Sequence, residues 1–170
     1  MNEIDGRTEP ARALMAGLST RLQLFLSLAE QCLGQLDDEQ VWRRGRPRDN
    51  AIGNLVLHAA GNMRQAAAEI QGTPDVRDRP AEFSATGGLT RSELAADLGG
   101  AVRELDGALH ALPLERLGET YHLRTGDTTM AYALIMSVSH FGLHLGQMQF
   151  IAKGILGEGY KEASWRLPPA

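Results

Sequence analysis

The sequence predicts an all-α fold, a four-helix bundle, on three observations. Apolar residues recur in steps of three and four along four long stretches, and charged or Gly/Pro-rich connections separate them. One run of 25 residues, Thr128 to Ala152, also holds no Asp, Glu, Lys or Arg in a chain that is 22% charged. At 170 residues, 1–170 form one domain, long enough to bury a core unaided. A net charge of -4 and a pI near 5.7 provide no broad basic field, so nucleic acid is not an expected partner. The lone Cys32 excludes an internal disulfide and suits a reducing cytoplasm. The N-terminus, MNEIDGRTEP, has no apolar segment of a secretory signal. The uncharged run is long enough to tempt a membrane-span reading. Its two His, two Gln, two Ser and two Thr match lipid poorly, so no membrane partner is expected.

In chain order, Leu14, Leu18, Leu22, Phe25, Ala29, Leu33 and Leu36 give the first helix, from Pro10 to Leu36. Residues 37–49 hold Gly45 and Pro47 and form a connection, with Trp42 anchored on the bundle end. Arg43, Arg44, Arg46 and Arg48 read as a solvated charge run, with carboxylate binding as the sharper alternative. Asp49 or Asn50 caps the second helix, which runs to Gln71 with Ile52, Leu55, Val56, Ala59, Met63, Ala67 and Ile70 facing the core. Asn54, His58 and Asn62 form a polar column beside that stripe. Residues 72–89 read as a long loop without helical periodicity; at ~3.3 Å per residue, they can cross the ~30 Å length of a helix. A capping box at Thr90 and Glu93 opens the third helix, which Pro113 ends. Residues 120–125 are expected to be extended, Gly126 and Asp127 to turn the chain, and Tyr160 and Trp165 to dock the irregular tail.

The fourth helix carries the chemistry. With no charge in 25 residues it should be largely buried, yet Ser137, His140, His144 and Gln147 share one face at i, i+3, i+7 and i+10. Such a stripe suits the lining of an internal cleft. His140 and His144 stand one turn apart, the spacing at which two imidazoles bind one borderline-soft cation; without a third ligand the pair reads as half-wet surface. A crossover at 72–89 makes the bundle up-down-down-up and sets the second helix antiparallel to the fourth. His58 then lies ~12 Å from one end and the histidine pair ~16 Å from the same end, depths that agree within a turn. His110 and His122 are the competing histidines, one at a helix terminus and one in a connector.

The segments AIGNLVLHAAGNMRQ around His58 and HFGLHLGQ from His140 to Gln147 resemble the DinB-like superfamily of bacterial four-helix-bundle proteins. The resemblance implies a metal triad of His58, His140 and His144; the spacing of the two polar columns sets Asn54, Asn62, Ser137 and Gln147 beside it. Many relatives place Arg after the last His, where this chain has Leu145. The resemblance further implies a frequent homodimer and, for some members, thiol-dependent S-transfer with a low-molecular-weight thiol. Three neutral imidazoles leave a fourth position open on a divalent ion, zinc or nickel foremost and iron third, for a thiol or for water. Asn54, Asn62, Ser137 and Gln147 do not titrate near neutrality, and the lack of a general base favours thiol transfer to a small-molecule substrate. The other readings are a metal-dependent hydrolase and a non-catalytic metal-binding stress or interaction protein. Gly142 and Gly146 lie roughly 200° around the helix from the metal face, a surface that would let another helix approach, within the chain or across a dimer.

Overall fold

The computed structural model describes residues 5–123 and 126–165. Within them the chain is predominantly helical, with α1 (Asp5–Leu33), α2 (Ile52–Gln71), α3 (Arg79–Ser84), α4 (Arg91–Ala111) and α5 (Met130–Leu156) and one antiparallel hairpin of β1 (Thr120–Leu123) and β2 (Gly126–Thr129). Four long helices enclose one core in which Leu22, Leu28, Ile52, Met63, Leu98, Leu105, Phe141 and Met148 are fully buried. No helix among the described residues is long and apolar enough to cross a membrane.

The helix starts follow local chemistry. Thr90 Oγ1 accepts from Glu93 N and Glu93 Oε2 accepts from Thr90 N, the reciprocal pair expected from sequence. Helix α2 differs from expectation: its N-cap is Ala51, not Asp49 or Asn50, and Asn54 Oδ1 accepts from Ala51 N at 3.0 Å. Gly72 ends α2 at φ 67°, the left-handed conformation that glycine adopts without strain. Trp42 is docked as expected. Its indole donates to Leu89 O at 2.7 Å, and its ring lies so close to Gly53 that a Cβ there would stand 2.8 Å from it.

Several expectations are overturned. The 72–89 segment contains the short helix α3, whose Asp78 N-cap accepts from Ala81 N and whose first turn holds Pro80. Gly126 and Asp127 belong to β2 and pair with Leu123 and His122, instead of turning the chain; residues 124–125 lie outside the described residues. The first four residues and the last five lie outside them as well. Tyr160 packs against the core, but Trp165 is 60% exposed, and Ala163 is the buried tail residue. Gln31 on α1 and Gln35 just after it hold that tail through Ser164 and Lys161. The uncharged helix is not wholly buried either: Tyr132, Ile135, Met136, Leu143 and Phe150 face outward. Gly142 faces α1, where a Cβ would stand 2.8 Å from the Phe25 ring, whereas Gly146 has nothing near it.

Candidate metal centre

The polar columns of α2 and α5 meet along their length. Ser137 Oγ donates to Asn62 Oδ1 at 3.2 Å, and one to two turns away His58 faces His140 and His144. Their Nε2 atoms converge: His140 Nε2 lies 3.3 Å from His58 Nε2 and 3.1 Å from His144 Nε2. One ring nitrogen from each residue falls within 4.8 Å of the others, a spacing that three ligands of one cation require. His58 and His144 are buried and His140 is half-buried, so the cluster has a closed back and an accessible side.

The orientation of each ring has a cause. The His58 Nδ1–H donates to Glu82 Oε2 at 2.7 Å, which leaves the Nε2 lone pair aimed at the cluster. The His144 Nδ1–H donates to Gln147 Oε1 at 2.8 Å, one turn further along α5, with the same result. His140 Nδ1 is buried and without a hydrogen-bond partner, so no outer contact fixes the proton on that ring. Burial lowers the pKa of all three. For His58 the Glu82 hydrogen bond opposes that shift while His144 and Arg77 add to it. His140 is pushed down to about 4 by burial and by its two histidine neighbours. For His144 the Gln147 hydrogen bond opposes the shift. Three neutral imidazoles with converging Nε2 atoms, two of them with the lone pair set by the bond behind the ring, fit a divalent ion.

The sequence reading missed the carboxylate behind the triad. Glu82, on α3, is 9% exposed at its side chain, and Arg77 donates to both its oxygens, Nε to Oε1 at 2.6 Å and Nη2 to Oε2 at 2.9 Å. Arg77 also donates to His58 O and to Gln65 Oε1, which pins the arginine to α2. Asn54 is fully buried and serves this arrangement from below: its Nδ2 donates to Glu82 O and Ala85 O, and Arg44 Nη2 donates to Asn54 Oδ1 and Ala85 O. Arg44 is therefore a structural cation, not part of a solvated run. The available signal was Asp78 followed by Pro80, a helix start inside an otherwise loop-like segment. Nothing in that pattern indicates which histidine the following glutamate meets.

Of the other histidines, His122 pairs with Asp127 at 2.8 Å on the exposed hairpin and His110 bonds Asp106 O at the end of α4. Neither approaches the cluster. The cavity beside the C-terminal half of α5 is lined in part by Gln147.

A family described as "Protein of unknown function (DUF1572)" matches residues 10–166. The chain belongs to the DUF1572 family. No curated protein matches it. Among solved structures, a conserved protein of a locus from Enterococcus faecalis is similar at a TM-score of 0.66 and 13% identity, covering 88% of this chain and 97% of that one. At that identity the likeness shows the fold alone.

Two expected outcomes arise from this geometry. An added Cβ at Gly61 of α2 would overlap Glu82 Oε1 and stand 3.0 Å from Arg77 Nε. Gly61→Ala should thus destabilise the protein by about 1–3 kcal/mol, although Ala gains roughly 1 kcal/mol in helix propensity. A thermal melt that rises in this variant would show that the carboxylate has room to move. The second concerns pH. In the metal-free protein all three histidines have folded-state pKa values below the usual 6.5, so the folded chain binds fewer protons than the unfolded chain. Stability should rise with pH through this window and be lost as pH falls from 6.5 towards about 4, the value for His140. Urea titrations of chelated protein across that range measure it, and a flat profile contradicts it.

Proposed function

We propose that the chain is a metal-dependent enzyme of the DinB-like superfamily that activates a low-molecular-weight thiol, or water, at a three-histidine site. The observation that carries the reading is the convergence of three Nε2 atoms whose rings are neutral, two of them fixed from behind by Glu82 and Gln147. A divalent ion held there, zinc or nickel foremost, would supply Lewis acidity that lowers the pKa of a bound thiol or water. The chain's own contribution is orientation and exclusion of water. His58 is held from α2, His140 and His144 from α5, and the 77–85 segment closes the back of the cluster. Glu82 is the one carboxylate that hydrogen-bonds the cluster among the described residues, and Arg77 occupies both its oxygens. That leaves no free general base beside the site and supports thiol transfer over hydrolysis. The setting is the reducing cytoplasm, and the bundle runs up-down-down-up. Contacts of Asn62 with Ser137, of Gln23 with Asp106, and of Gln35 with the segment after α5 support that order.

Cobalt substitution tests the reading. The visible spectrum of the cobalt protein should shift and saturate on addition of a small thiol such as cysteine. An unchanged spectrum would remove the thiol and leave a non-catalytic metal-binding protein; turnover of an ester without thiol would point to the hydrolase.

We also propose a two-fold homodimer along α5. Tyr132, Met136, Leu143 and Phe150 recur at four and seven residues on one uncharged helix face, and Leu143 and Phe150 are 62% and 79% exposed. Such a stripe matches a second copy of itself. Light scattering at micromolar concentration should give about twice 18.4 kDa, and Leu143→Glu with Phe150→Glu about half that result. A wild-type monomer would rule the dimer out.

A further inference from the structure

The cavity beside α5 has both apolar and basic lining. Along the helix its walls are apolar, with Leu55, Leu143, Phe150 and Ile151, and it measures about 1170 Å³. Arg43, Arg48 and Lys153 line it too, with Asp49 among them. Lys153 is engaged by Glu162 at 2.6 Å. The side chains of Arg43 and Arg48 have no hydrogen-bond or ion-pair partner among the described residues, unlike Arg44, Arg64, Arg77 and Arg116. Two guanidinium groups without an ion-pair partner in the lining of a largely apolar cavity suit a carboxylate or sulfonate, which each can meet with paired N–H donors.

The cavity meets the histidine cluster's outer side at one residue, Gln147. Gln147 lines it while accepting from His144 Nδ1, and the half-buried His140 lies on the same face of α5 two turns earlier. A rise of ~1.5 Å per residue puts Phe150 about 15 Å and Lys153 about 20 Å along the helix from His140. We infer that this cavity binds an amphiphilic anion, its acidic end on Arg43 and Arg48 and its apolar body against Leu55, Leu143, Phe150 and Ile151. That this ligand is the substrate rests on the metal-site reading; that the cavity binds it does not. Leu143 and Phe150 lie also on the proposed self-association face, so the cavity is assayed in the native assembly.

Titration calorimetry of the full chain with octanoate, and with 1-octanol as the neutral control, tests the inference. Octanoate should bind at least tenfold more tightly than octanol. Arg43→Glu with Arg48→Glu should weaken octanoate at least tenfold. Gly146→Phe, which projects a side chain from a position with open space around it, should block octanoate without lowering the melting temperature. Metal removal and His140→Ala should leave octanoate affinity unchanged, which separates a failure of this inference from a failure of the metal site. Octanoate binding that survives both cavity variants would overturn it. So would binding lost on metal removal, since the carboxylate would then sit on the ion. Capture of phosphatidylglycerol vesicles without octanoate binding would make the face a membrane contact and overturn it likewise.

Discussion

His140→Ala and His144→Ala should each reduce bound metal from an expected one ion per chain to a trace, whereas His122→Ala and His110→Ala should leave it unchanged. The first pair removes an Nε2 from a set whose members are 3.1 and 3.3 Å apart. The two imidazoles that remain, His58 on α2 and one on α5, cannot close the coordination that three share, so affinity falls by orders of magnitude rather than by a fraction. The second pair lies at the hairpin and at the end of α4, bonded to Asp127 and to Asp106 O. Elemental mass spectrometry on protein purified without chelator measures the stoichiometry. Full metal retention in His140→Ala would dismiss the site.

Glu82→Ala is expected to do two kinds of damage at once. It leaves the Arg77 guanidinium, 9% exposed, without its carboxylate, and removal of one partner of a buried pair costs about 3–5 kcal/mol. It also frees the His58 ring, and loss of an outer carboxylate on a metal-binding histidine lowers metal affinity by about 10–100-fold. Urea unfolding of the chelated variant isolates the first effect, and competition with a chelator isolates the second. Glu82→Gln, which preserves shape and an acceptor while removing the charge, should fall between. If Glu82→Ala matched the wild type in both measurements, the ion pair would be incidental to the site.

The histidines were legible and the carboxylate was not, for a physical reason. His140 and His144 sit on a helix whose period is fixed, and His58 sits on another, so counting residues along two rods suffices to compare depths. Glu82 and Arg77 lie in a segment of Pro, Gly and charge, where no period relates one side chain to the next. Their meeting with His58 is decided by how that segment folds back on α2. Arg44 is the same case: a charge run gives no indication which of its members is drawn inward to satisfy Phe83 O and Ala85 O. The uncharged α5 taught a different lesson. Absence of charge excludes contact with bulk water as a design, but it does not say whether the cover is the chain's own core or something outside it. The structure buries Phe141, Leu145 and Met148 and leaves Leu143 and Phe150 open.

Cys32 sits on α1 with no exposed surface, and burial pushes its thiol up to about 11. The single cysteine of the chain is therefore almost wholly protonated at neutral pH and out of reach of a reagent. For a protein that would bring thiols and electrophiles together, this amounts to immunity from its own chemistry. An alkylating agent added to the folded protein finds no accessible cysteine, and intact mass should show no thiol adduct until the protein unfolds.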